Sequence, residues 1–167
     1  GGMSTTTEHD QKQEHDQEQE TGTLRHTWLA GLGGGIGGSL AMGVAVLVMN
    51  TPTLAVAIPS LYGLAPPPTP IVGMGVHLVH GATLGVVFAG IAGALSLDSP
   101  GAVVGAGVAW GVVTWVLLAA LVMPVWLGVV GSPASPPVPN FAVPSLLWHL
   151  IYGAGLAGGS LAVESRL

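Results

Sequence analysis

No charged residue stands between Arg25 and Asp98, and none between Asp98 and Glu164. A water-soluble domain carries about a quarter of its residues charged, whereas this chain carries 7%. The charge-free stretches hold four apolar runs, at roughly 28–49, 71–95, 101–130 and 143–163. At the α-helical rise each is long enough to cross a hydrocarbon core of about 30 Å. Their many glycines are no objection, because membrane helices tolerate glycine. The expected fold class is therefore all-α, a bundle of four transmembrane helices in the lipid bilayer, occupying residues 25–167.

The connectors after the first and third runs are rich in proline: Pro52, Pro59, Pro66, Pro67, Pro68 and Pro70, then Pro133, Pro136, Pro137 and Pro139. Proline removes a backbone donor and clashes with the preceding turn, so helix is expected to stop in both segments. Within the first, Leu54 to Ile58 is apolar and is expected to lie along the membrane interface. Leu97-Asp98-Ser99-Pro100 leaves room only for a tight turn, so the second and third runs must be antiparallel neighbours. Arg25 and Arg166 flank the first and fourth spans on one side of an even-span protein. The positive-inside rule then predicts a multi-pass cell-membrane protein with both termini cytoplasmic.

Residues 1–24 are of another kind. Gly1 and Gly2 precede Met3 and read as a cloning scar before a natural start. Glu8-His9-Asp10-Gln11 recurs as Glu14-His15-Asp16-Gln17 in a polar run too poor in apolar groups to offset the entropy of ordering, so a disordered acidic tail is expected. Almost all of the net charge of −5 resides there. With three basic residues in all, no patch can neutralise phosphates, so no nucleic-acid partner is expected. Scarce lysine beside an acidic segment is the composition expected of a halophilic source. The absence of cysteine excludes disulfides and thiolate chemistry.

Set against itself at an offset of 149 − 77 = 72 residues, the chain places His77-Leu78 on His149-Leu150, Gly81-Ala82 on Gly153-Ala154 and Leu84 on Leu156. Gly35 falls on Gly107, Pro52 on Pro124 and Ser60 on Ser132. This pattern predicts a duplicated two-helix unit. Two spans per unit preserve orientation, so the copies should be parallel, with a pseudo-twofold axis along the membrane normal. In lipid, helix association relies on small residues that let backbones approach. Gly31 with Gly35, and Gly73, Gly81, Gly85 and Gly153 around the motif histidines, are the expected packing positions, since residues four apart share a helix face.

Gly33-x-Gly35-x-x-Gly38 has the spacing of a dinucleotide loop, but lacks the strand-to-helix turn that motif requires, and reads as helix packing. No serine–histidine–acid set exists in the spans, so no enzyme activity is expected. His77, His80 and His149 stand out, because an ionisable side chain within a span is costly and marks a site by default. The bland reading is a hydrogen bond to a neighbouring helix. A ligand reading makes His77 and His149 the two axial ligands of haem b, or groups His77, His80 and His149 as metal ligands. Met49, Met74 and Met123 would complete a soft set suited to copper as Cu(I), and a quinone-like ligand is a further alternative. Trp28 and Trp126 suit interfacial belts, and Trp110, Trp115 and Trp148 suit packing.

Ala57-Ile58-Pro59-Ser60-Leu61-Tyr62-Gly63, the repeated HLxxGA motif and the acidic tail resemble a group of small haloarchaeal four-span membrane proteins. The resemblance covers the chain from about Trp28 onward and implies the four-helix fold, but carries over no activity or ligand. Some such sequences look like proteins labelled histidine kinase, a function that needs a soluble nucleotide-binding domain this chain has no room to encode. The expected role is a non-enzymatic accessory protein or self-associating bundle, as a homo-oligomer or within a larger membrane complex. The alternatives are a haem- or metal-binding redox protein and a small transporter, against which the uncharged spans argue where ion coupling is concerned.

Overall fold

The computed structural model describes residues 24–167; the repeated acidic segment lies outside the described residues. Four helices are long and apolar enough to cross a membrane: α1 Trp28–Met49, α2 Pro70–Ala94, α3 Pro100–Val129 and α4 Val143–Glu164. No strand occurs among the described residues. The starts have local causes. Thr27 and Ser99 sit at N-caps and accept from the amides of Ala30 and Ala102, both at 3.2 Å. Pro70, Pro100 and Pro144 occupy the first turns of α2, α3 and α4, where a missing N–H goes unneeded.

The expectation that helix stops throughout the first connector is corrected. After a break at Asn50, residues 51–60 are helical, with a π-helical stretch Thr53–Ala57 and one α-turn Ile58–Ser60. Pro59 is accommodated because the amide of Thr69 donates to the carbonyl of Ala55, four residues before Pro59, at 2.9 Å. The same device recurs in α3. Pro124 leaves the carbonyl of Ala120 without an intrahelical donor, the π-helical stretch Trp115–Val122 precedes it, and the amide of Asn140 donates to Ala120 at 2.9 Å. Pro124 thus plays in α3 the part that Pro59 plays in the first connector. The short helix is packed into the protein. Leu54, Ala55, Ala57 and Ile58 are buried, and Leu54 turns its carbonyl onto Gly73 of α2, where a Cβ would collide with it.

α1 packs along both α2 and α4, and α3 packs along α4, whereas α2 and α3 barely touch. Glycine explains the close seams. A Cβ on Gly31 would meet the Gly85 carbonyl, one on Gly35 the Gly81 carbonyl, and one on Gly153 the Gly107 carbonyl. Between α1 and α4, a Cβ on Gly38 would stand 2.6 Å from the Tyr152 carbonyl, and one on Gly159 2.9 Å from Cα of Gly34. Each pair lets two backbones approach as dispersion-driven packing in lipid requires.

The open seam has its own cause. Shifting the α1–α4 contacts by 72 residues replaces Gly34 and Gly38 with Ala106 and Trp110, and Gly155, Gly159 and Ser160 with Thr83, Val87 and Phe88. Phe88 and Trp110 meet with ring centroids 6.4 Å apart. These side chains prop α2 and α3 apart where glycines draw α1 and α4 together. At the end that carries both termini, the Glu164 carboxylate accepts from the amide of Arg25 at 2.5 Å and, more loosely, from that of Thr27 at 3.4 Å. His26 Nε2 donates to the Leu97 carbonyl at 2.5 Å, tying the first helix to the turn between α2 and α3.

Candidate functional site

The gap between α2 and α3 opens, in the half of the bundle away from the termini, into a cavity of about 670 Å³. Its size falls in the range of small-molecule sites, about 300–1,000 Å³. The Phe88–Trp110 pair lies toward the termini from it. At its far end Ser60 Oγ and Ser132 Oγ join the two connectors at 2.6 Å, and Trp126 Nε1 of α3 donates to the Leu61 carbonyl of the first connector at 2.9 Å. Val79, Thr83, Leu118 and Val122 line it while exposed on the outer faces of their helices, so the cavity opens sideways. In a bilayer that opening faces acyl chains rather than water.

His77 and His149, from α2 and α4, both line this cavity, as does His80. His77 is buried, and its Nε2 donates to the carbonyl of Ser39 in α1 at 2.9 Å. It can reach that carbonyl because Gly81, one turn along α2, lets α1 approach until a Cβ there would collide with Ser39. His149 donates from Nδ1 to the carbonyl of Ser145, one turn back in its own helix, at 2.6 Å. His80 pairs with the hydroxyl of Tyr62 from the first connector at 2.5 Å. The bonds of His77 and His80 reach other segments and that of His149 stays within α4, so two of the three tie the fold together.

Tyr152, the residue that the 72-residue offset sets on His80, is buried and donates to the Gly81 carbonyl at 2.7 Å, joining α4 to α2 beside His77. Trp148 also lines the cavity and donates from Nε1 to the sulfur of Met49 at 3.2 Å. The cavity and the roles of Trp148, Ser145 and Thr114 in its wall were not read from the sequence. The usable signal was Trp110 standing 72 residues after Gly38, so that α3 carries a bulky ring where α1 carries none.

A carbonyl only accepts, so its partner nitrogen carries the proton, and a neutral ring keeps a lone pair on the other nitrogen. His77 Nδ1 and His149 Nε2 are such nitrogens, of a kind that can ligate haem iron or Cu(I). The surrounding residues fit haem poorly. No lysine or arginine lines the cavity to meet haem propionates, and among the described residues no three of histidine, cysteine, aspartate and glutamate gather as a metal set. No family model, curated protein or solved structure matches the chain.

Proposed function

We propose that this chain is a non-enzymatic membrane protein that holds a lipid-soluble small molecule in the cavity between α2 and α3, admitting it sideways from the bilayer. The observation that carries this reading is an apolar chamber of about 670 Å³ with exposed helix faces along its rim and imidazole and phenol groups in its wall. The fold spends two bulky aromatic side chains, Phe88 and Trp110, on keeping open a seam that glycine closes elsewhere. Both termini are cytoplasmic in this reading, which is supported by the placing of Arg25 and Arg166 at the end where Glu164 meets the start of α1. Descent from a duplicated two-helix unit is supported by Gly35 against the Gly81 carbonyl matching Gly107 against the Gly153 carbonyl, and by the contact of Ser60 with Ser132, which the 72-residue offset superposes.

Native mass spectrometry of protein extracted from its own membrane tests the function. An apolar adduct of about one per chain is expected, and Ala119→Trp, which fills the chamber from α3, should remove it while leaving helicity unchanged. An adduct-free parent protein, or an adduct indifferent to Ala119→Trp, overturns the reading. A Soret band or stoichiometric copper replaces it with a redox role.

A further inference from the structure

At the end of the bundle that carries both termini, all four helices contribute to a second and far smaller cavity. Its wall includes Ala30 of α1, Phe88 and Ala89 of α2, Val103 of α3 and Ser160 of α4. It leaves about 10 Å³ for the centre of a water molecule, which is room for one. One polar atom in that wall is unserved. Ser160 is 9% exposed, and its hydroxyl has no hydrogen-bond partner among the described residues. The hydroxyls of Ser39, Thr83 and Thr114 show the alternative, each donating to a carbonyl three or four residues back in its own helix. Two further polar side chains, His26 and Glu164, line the same cavity. The Glu164 carboxylate accepts from the amides of Arg25 and Thr27 and still has lone pairs to spare. His26 gives its Nε2 proton to the Leu97 carbonyl, so the neutral ring keeps a lone pair on Nδ1.

We infer that this cavity is a binding site for one water molecule, which joins α4 to the segment that leads into α1. The water accepts the Ser160 proton and donates one of its own to Glu164 and the other to His26 Nδ1. Three partners are what an ordered internal water has, and a buried hydroxyl left without one is penalised. A metal cation such as calcium or magnesium takes about six oxygens, more than Ser160 and Glu164 supply. The other walls are apolar. Bridging through water strengthens the junction that Glu164 already makes directly with the start of α1. Phe88, half of the pair that props α2 from α3, is part of this wall, so the residue that keeps the large chamber open also shapes the small one. The site does not depend on what the large chamber holds.

The test uses the full chain in nanodiscs, labelled at alanine and valine methyl groups, with water itself as the probe. The methyl groups of Ala30, Ala89 and Val103 belong to residues 2%, 4% and 1% exposed, too deep for bulk water. Nuclear Overhauser cross-peaks at the water frequency are expected from all three. A hydroxyl proton exchanging with solvent gives the same peaks, and Val103→Ile separates the two sources, because its added methyl group takes the water's place and leaves the Ser160 hydroxyl. The peaks from Ala30 and Ala89 should be lost in Val103→Ile and weakened in Ser160→Ala. Their absence from the parent protein means a dry cavity and overturns the site. Peaks that survive in Val103→Ile belong to the hydroxyl and overturn it equally, and full-strength peaks in Ser160→Ala remove Ser160 from it. Should Val103→Ile fail to fold, a crystal structure of the parent decides. A single water within hydrogen-bonding distance of Ser160 Oγ supports the site, and a Ser160 hydroxyl turned onto the Leu156 carbonyl with no water beside it overturns it.

Discussion

A methyl group added at Gly35 would be driven into the Gly81 carbonyl, whereas one added at Gly37, two residues on, would meet nothing within 4 Å. Gly35→Ala must force α1 and α2 apart and is expected to cost about 1–3 kcal/mol, as overpacking does. Gly37→Ala should be neutral, or stabilising by about 0.4–1 kcal/mol through the unfolded chain. Thermal melting of the two variants side by side checks the contrast, and equal effects would mean that the glycine face is misplaced. Tyr152→Phe removes one bond between helices and should cost about 0.6 kcal/mol, the average for such bonds in a bilayer. At this scale the sequence is informative about which residues matter and silent about their partners. Spacing of four marks Gly31, Gly35, Gly81 and Gly85 as one face each. No spacing reveals that His77 donates to Ser39 across a seam while His149 donates within its own helix, because the choice depends on how close the neighbouring backbone comes.

Among the elements, the four spans were legible because a bilayer demands long uncharged runs and tolerates little else. The proline segments were less so. A proline reads as a stop unless some distant amide serves the carbonyl it frees, and nothing in the order of residues announces that Thr69 and Asn140 do so. The unequal seams were readable in part, since Trp110 and Phe88 stand at the 72-residue offset from Gly38 and Ser160 and cannot approach as closely as those small residues do. If those two side chains are the prop, Trp110→Gly combined with Phe88→Ser should let α2 close on α3. The chain lacks cysteine, so Val87→Cys and Ala106→Cys, at the 72-residue offset from Gly159 and Gly34, report on that closure directly. Oxidation should cross-link them efficiently in the double variant and poorly in the parent. The same slow reaction in both would show that something other than the aromatic pair holds the seam open.

For the whole molecule the absence of cysteine again supplies a clean background. Ser135→Cys lies in the second connector and Ser165→Cys just past α4, at opposite ends of the bundle. An impermeant maleimide applied to intact cells should label Ser135→Cys alone, and Ser165→Cys should react once the cells are opened. The reverse pattern would invert the orientation read from Arg25 and Arg166.

Glu164 of α4 holds the amides that open α1, and the first span packs more extensively on the fourth than on any other. During synthesis α1 therefore enters the membrane long before its main partner exists. Until α4 leaves the ribosome, the strip of backbone at Gly34 and Gly38 has no companion, and it remains open to the insertion machinery, to lipid or to another nascent chain. Docking of α4 is then the step that completes the bundle, so an interruption late in translation should leave a product that is inserted, three-quarters built and marked for removal by its uncovered first helix.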